Sequence, residues 1–150
     1  MSGPGPRLWD EVAEGEALPG FSLPLTMTRM VLQVSGTQDV YPVHHDPAFA
    51  REAGHEAIFL NTAFIRGCLC RVVTDWMGPA GFLKGLRFQM RQPSFLGETI
   101  DARGRVTRKR AEGLVDLDVW LEDARHGITT SGTARVVLPR GAVAGTDALA

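Results

Sequence analysis

An aspartate and a histidine stand five residues apart in the polar segment 39–46, Asp-Val-Tyr-Pro-Val-His-His-Asp. Because Pro42 fixes part of the backbone between them, the side chains of Asp39 and His44 can converge on one point. A carboxylate and an imidazole that share a water molecule can move its protons near neutral pH. The same residues also fit a solvated loop in which Asp39 caps a turn and His44 bonds to the backbone, and the spacing alone leaves both interpretations open.

The elements before this segment are predicted to be one strand and one short helix. Apolar residues alternate with others over 21–28, which predicts a strand. Pro24 cannot donate to a sheet ladder, so we expect it at an edge or a bulge. We expect Thr28 to cap a helix that runs to about Ser35 and closes at Gly36.

Two helices are predicted after the segment. Asp46 caps the first, a short helix that Pro47 opens and Gly54 ends. The second runs from Asn61 to Trp76, because apolar residues recur there at spacings of three and four and form one stripe. The members of that stripe are Ile65, Cys68, Leu69, Val72, Val73 and Trp76.

The rest of the chain predicts an antiparallel sheet, because apolar and polar residues alternate along four stretches. These strands lie around 86–90, 100–107, 115–122 and 128–136. The breaks at 93–97, Gly113 and Gly127 fit hairpin turns. The simplest packing wraps the sheet around the long helix, which is an α+β architecture and matches a hotdog fold.

Length and composition indicate one globular domain over 1–150, with an ordered core at about 9–138. A chain of 150 residues that is 44% hydrophobic and 22% charged can bury one core and is neither disordered nor fibrous in composition. We expect an irregular lead-in over 1–20 and a loose tail over 139–150.

Charge and hydropathy exclude two classes of partner. Sixteen basic against seventeen acidic residues give a net charge of −1, which does not favour nucleic-acid binding. The sequence has no apolar run near the roughly 20 residues of a membrane helix, and its first residues do not resemble a signal peptide. We therefore expect no membrane span.

The cysteine content points to a reducing compartment. Cys68 and Cys70 stand two residues apart and would face different sides of a helix, so neither a disulfide scaffold nor a four-ligand zinc site is expected. The sequence accordingly predicts a cytoplasmic protein. It shows no metal-ligand spacing, and no cofactor is predicted.

Segment 39–46 resembles a known motif. Asp39-x-x-Pro42-x-His44, followed by Asp46 and by Phe-Ala at 49–50, is similar to the Asp-x-Asn-Pro-x-His motif of the MaoC-like, type-2 enoyl-CoA hydratases. The flanks agree over about residues 9–138. The matching flanks are Trp9-Asp10-Glu11-Val12 near the start, and Phe88, Pro93 and Gly97-Glu98-Thr99 after the long helix.

The resemblance implies a fold, a reaction and an assembly. In that family, hotdog domains pair and the acyl thioester lies in a tunnel between them. Asp39 and His44 would position and deprotonate a water that adds to the β-carbon of a trans-2-enoyl thioester. The thioester oxygen gains negative charge and needs donors, which the start of the long helix at Asn61 and Thr62 would supply.

Several departures from the common motif match a narrower group. Tyr41 stands where Asn is usual, Gln38 where Gly is usual, and Leu60-Asn61 where His-Gly is usual. Together with Ile58-Phe59 and 73–79, these resemble the small MaoC-like subunit of actinobacterial steroid side-chain enoyl-CoA hydratases. That implies a bulky acyl group and a second MaoC-like chain, although a homodimer would also offer an interface.

Two other functions and one charged stretch stay open at this point. A hotdog thioesterase would drive water onto the thioester carbonyl, and a non-catalytic subunit would only bind the acyl group. The arginine-rich stretch 105–110, with Arg87, Arg91 and Arg103, fits either the phosphates of coenzyme A or a solvated sheet face.

Overall fold

A five-stranded antiparallel sheet packs around one long helix in the computed structural model, which describes residues 6–141. The observed elements are β1 Ala17–Pro24, α1 Met27–Thr37, α2 Pro47–Glu52, α3 Thr62–Met77, β2 Phe82–Met90, β3 Thr99–Lys109, β4 Leu114–Asp123 and β5 Gly127–Val137. The α+β hotdog prediction is confirmed. The irregular lead-in predicted over 1–20 is too long, because β1 already begins at Ala17. Its first residues, 1–5, and the part of the predicted tail at 142–150 lie outside the described residues. The single domain over 1–150 stays a prediction.

The strand order in the sheet is β1-β3-β4-β5-β2. The hairpins predicted at Gly113 and Gly127 are confirmed, because β3, β4 and β5 pair in succession and both glycines have positive φ. The hairpin predicted at 93–97 is wrong. β2 pairs with β5 at one edge, whereas β3 pairs with β1 and β4, so the chain crosses the sheet between them. Alternation locates strands but does not determine their partners.

Helix α3 follows the predicted stripe. The Asn61 side chain caps it, with Oδ1 accepting the N–H of Phe64 at 2.8 Å. The stripe is buried against the sheet, and burying a large aliphatic side chain contributes about 1.5–3 kcal/mol. The helix ends at Gly78, whose φ of 69° suits a residue without a Cβ.

The first strand and helix are shifted from their predicted positions. β1 ends at Pro24, and Thr26 rather than Thr28 caps α1, with Oγ1 accepting the N–H of Arg29. The alternation continued past the strand because Leu25 is buried in the connection. Pro24 lies on an edge strand, as expected. Gly36 does not close α1, which runs to Thr37.

One position on β5 also differs from the alternation. Ile128 is half exposed, whereas its neighbour Thr129 is buried. Leu121 pairs with Thr130 and Glu122 with Ile128, so Thr129 is an extra residue on β5. This bulge shifts the alternation by one residue and places Ile128 on the exposed face of the sheet.

Within residues 6–141, we find no helix that is both long and apolar enough to cross a membrane.

Candidate active site

The end of α1 and one 3-10 turn position the Asp39–His44 pair. Gln38 takes a left-handed conformation, φ 58°, which ends the helix and redirects the chain into Asp39. Pro42 opens a 3-10 turn whose last residue is His44. The turn brings His44 Nε2 to 3.6 Å from Asp39 Oδ2. The histidine side chain is 9% exposed and the aspartate side chain 40%, so the pair lies at the boundary between core and solvent.

A backbone carbonyl determines which nitrogen of His44 carries the proton. His44 Nδ1 lies 2.9 Å from the carbonyl oxygen of Phe59. A carbonyl can only accept, so Nδ1 donates and the neutral ring keeps its lone pair on Nε2. That lone pair is on the side of Asp39. The backbone bond expected for a solvated loop therefore exists, and it leaves the other ring nitrogen available as a base.

The structure distinguishes the two residues expected to stabilise the thioester oxygen. Asn61 is buried and its polar groups are engaged: its N–H donates to Gln33 Oε1, its Nδ2 to Thr37 Oγ1, and its Oδ1 caps α3. Thr62 is exposed at the start of α3, where a backbone N–H has no intrahelical acceptor. The Thr62 amide thus remains the candidate donor.

The residues directly after His44 make local hydrogen bonds. Asp46 caps α2 by accepting the N–H groups of Ala48 and Phe49, as expected. His45 is exposed and its Nε2 lies 3.0 Å from the Val40 carbonyl oxygen.

Around the pair, large apolar side chains face solvent. Tyr41 is 56% exposed, with its ring edge-on to Phe49, and Val40 is 68% exposed. On α1, Val31 and Leu32 are each more than half exposed. Large exposed apolar side chains grouped in this way are typical of surfaces that bind a ligand or a partner.

Two residues that support the pair were not predicted from the sequence. Gln33 is 1% exposed, and its Nε2 donates to the Phe59 carbonyl that also accepts from His44. Thr37, one turn further along α1, contacts both Asn61 and the N–H of Asp39. The available signal was a glutamine three residues after Met30 on the buried face of the helix.

The arginine-rich stretch lies largely on the outer face of the sheet, where carboxylates match it. Arg103 pairs with Asp101 and Glu122, and Arg105 with Asp118. Two further arginines pair with Asp116; the hydrogen bond from Arg135, followed by that from Arg110, outweighs burial and lowers the pKa of this carboxyl. For Arg103, Arg105 and Arg110 this pairing favours a charge-balanced solvated face. Arg87, Arg91 and Arg108 form no ion pair with another described residue, so both interpretations stay open for them.

One group among the described residues has the composition of a metal site. Glu98, Asp123 and His126 place three possible ligand atoms within 4.8 Å of one another. Asp123 Oδ1 already accepts the N–H groups of Arg125 and His126, and both oxygens of Asp123 lie 3.2 Å from His126 Nδ1. Glu98 Oε1 is buried and has no hydrogen-bond partner among the described residues. The group joins the β4–β5 turn to the residue before β3, which is a structural role.

The buried cysteine is not a reactive group. Burial raises the pKa of the Cys68 thiol to about 11, so it stays protonated near neutral pH.

Comparison with known proteins gives the chain a family. It is 32% identical over 105 residues to the 3-oxo-4,17-pregnadiene-20-carboxyl-CoA hydratase beta subunit of Mycobacterium tuberculosis, an alignment that covers 70% of this chain and 81% of that protein. This chain belongs to the MaoC-like hydratase family. No family model matches the sequence.

Solved structures agree with this MaoC-like assignment. The crystal structure of the ChsH1-ChsH2 complex from M. tuberculosis matches with a TM-score of 0.79 and 28% identity, over 84% of this chain and 98% of that one. The R-hydratase PhaJ1 from Pseudomonas aeruginosa matches with a TM-score of 0.80 over 89% of this chain and 86% of its own, at 17% identity, which shows the fold. Hydratases are hydro-lyases, and this MaoC-like protein is an enzyme of that class.

Proposed function

We propose that this MaoC-like protein adds water across a trans-2-enoyl-CoA thioester, with Asp39 and His44 as the catalytic pair. The observation that carries the proposal is the arrangement of the His44 ring. Nδ1 donates to the Phe59 carbonyl, and Nε2 faces Asp39 Oδ2 at 3.6 Å. A water that contacts both atoms meets a base and a carboxylate acceptor at once.

In the forward reaction, this pair removes a proton from the water. The resulting oxygen nucleophile attacks the β-carbon of the enoyl group, and the electrons of the double bond move toward the thioester carbonyl. The α-carbon then takes up a proton, so one water is added and nothing else is consumed. The reverse sequence dehydrates a 3-hydroxyacyl thioester.

During attack the thioester oxygen becomes negative and needs a donor already in place. The Thr62 N–H is our candidate, because the first amides of a helix lack intrahelical acceptors and the helix dipole favours an anion there. Asn61 contributes by capping the helix and fixing its first turn.

We also propose that the acyl pocket is completed by a second MaoC-like chain. The apolar side chains near Asp39 are exposed in the single chain, and the similar ChsH1-ChsH2 structure is a complex of two different chains. The M. tuberculosis relative acts, by its name, on a steroid-derived carboxyl-CoA. A bulky steroid-type acyl group is accordingly the substrate we propose, in a cytoplasmic enzyme.

The test measures water addition to a medium-chain and a steroid-type enoyl-CoA by the purified chain, alone and with a co-purified MaoC-like partner. Asp39→Asn should reduce turnover by about 10²- to 10⁴-fold, the usual contribution of a positioned acid or base. Asp46→Asn is the matched control, since asparagine caps a helix as well as aspartate.

Product analysis separates the alternatives. A 3-hydroxyacyl-CoA product that disappears with Asp39→Asn supports the proposal. Release of free coenzyme A would identify a thioesterase instead. Hydration that needs the partner and is unaffected by Asp39→Asn would make this chain a non-catalytic, acyl-binding subunit.

A further inference from the structure

A buried amide connects the His44 support to the start of α3. Gln33 Nε2 donates to the Phe59 carbonyl at 3.1 Å, and Gln33 Oε1 accepts the Asn61 N–H at 2.8 Å. The two partners settle the orientation of the amide, because a carbonyl can only accept and an N–H can only donate. Gln33 is 1% exposed, so water does not replace these bonds cheaply.

The Gln33 side chain therefore contacts the segment that holds the catalytic base and the segment that carries the oxyanion donor. The Phe59 carbonyl is the acceptor that holds His44 Nδ1 at 2.9 Å, and Asn61 is the cap of the helix whose first amide is Thr62. We propose that Gln33 is a positioning residue that holds the catalytic base and the oxyanion donor in one rigid arrangement. This inference rests on the function proposed above.

Thr37 extends the arrangement to the carboxylate. Its Oγ1 donates to the Gln33 carbonyl at 2.7 Å and accepts from Asn61 Nδ2, also at 2.7 Å. The N–H of Asp39 lies 3.4 Å from the same oxygen. The Thr37 hydroxyl thus links Asp39 to Asn61, the cap of α3. Since it also binds the carbonyl of Gln33, whose side chain contacts the acceptor of His44, Asp39 and His44 are held by the same network of hydrogen bonds.

Gln33→Met tests the proposal, because methionine has a similar shape but offers neither the donor nor the acceptor. We expect kcat to fall by about 10- to 100-fold, as it does when the hydrogen-bond partner that orients a metal-ligating histidine is removed, with KM little changed. A core substitution away from the site, Val115→Ala, shows what loss of stability alone does to kcat. An equal fall in kcat for both at equal stability would overturn the proposal.

A second measurement does not depend on activity. Nitrogen-15 NMR of the His44 ring, assigned by comparison with His44→Gln, reports which nitrogen carries the proton. We expect the Nδ1–H form in the unmodified chain and a mixture of both forms in Gln33→Met. If the ring signals are identical in the two folded proteins, Gln33 does not position His44, whether or not the chain is a hydratase.

Two substitutions at Thr37 test the same network in case Gln33→Met fails to fold. Thr37→Val removes the hydroxyl and should lower kcat, whereas Thr37→Ser keeps it and should restore most of the activity. Equal activity of the valine and serine variants would contradict the shared support.

Discussion

Residues 6–141 contain two Asp–His pairs, and they differ in what surrounds the carboxylate. At the first, Asp39 is 40% exposed and its Oδ2 stands 3.6 Å from His44 Nε2. At the second, Asp123 is 1% exposed and 3.2 Å from His126 Nδ1. The buried carboxylate also accepts two backbone N–H groups, one of them from Arg125.

The comparison shows that composition does not distinguish a catalytic pair from a structural one. The Asp123 carboxylate is buried, its Oδ1 accepts two backbone N–H groups, and both its oxygens contact the His126 ring, so a substrate has no access to it. The Asp39 carboxylate has open positions, and His44 is held through the nitrogen that faces away from it. A catalytic pair needs a histidine that is held through one ring nitrogen and keeps the other nitrogen, together with the carboxylate, available to a water molecule.

The largest expected effect separates the two histidines. His44→Gln should lower turnover by about 10²- to 10⁴-fold, because it removes the base. His126→Gln should leave turnover within a few-fold, since His126 lies in the turn between β4 and β5. Steady-state hydration assays of both variants test this, and the outcome that contradicts the assignment is a larger loss at His126.

For the free energy of unfolding we expect the opposite order, with the larger loss at the Asp123–His126 pair. Asp123→Ala leaves two partly buried backbone N–H groups, those of Arg125 and His126, without their acceptor and should destabilise the fold by about 1–2 kcal/mol. Asp39→Ala removes a partly exposed side chain and should change stability by about 0.5 kcal/mol or less. Denaturant titration of both variants measures the difference, and similar losses would show that the pairs are not distinct.

Acid should remove the contribution of Asp123. Burial alone would raise the pKa of this carboxyl from its ordinary 3.8, but the backbone and ring of His126 and the N–H of Arg125 outweigh burial and lower it. The unfolded chain then holds the proton more tightly, so the stabilisation is present above about pH 4 and is lost as the pH falls below it. The difference in unfolding free energy between the unmodified chain and Asp123→Asn should therefore become smaller below about pH 4. A stability difference that stays constant with pH would contradict a lowered pKa for Asp123.

The smallest expected effect concerns the turn into Asp39. A left-handed L-residue costs about 1–2 kcal/mol, and glycine offsets part of any relief by its extra backbone entropy, about 0.5–1 kcal/mol. Gln38→Gly should accordingly raise stability by about 0.5 kcal/mol without reducing turnover. Thermal unfolding measures the change, and a loss of stability would mean that the glutamine side chain contributes more than its backbone conformation costs.

Local sequence patterns predicted the elements better than their arrangement. The stripe on α3 and the Asp46 cap of α2 depend on neighbours in the chain, so they could be predicted. The helix predicted from Asn61 begins one residue later, because Asn61 caps it. The crossing between β2 and β3 could not be predicted, because strand partners are chosen by the closure of the whole sheet. The bulge at Thr129 depends on register against β4, which the alternation also does not contain.

The sequence by itself determined the hotdog elements and brought Asp39, Pro42 and His44 to a spacing at which they can converge. Only the tertiary structure decided which nitrogen of His44 is free, because the Phe59 carbonyl that sets it lies 15 residues away in the chain. It also decided that the N–H and Nδ2 groups of Asn61 are hydrogen-bonded to Gln33 and Thr37 and so are not available to a substrate. Hydrogen bonds between distant segments select the state of a side chain, and no local pattern records which segments meet.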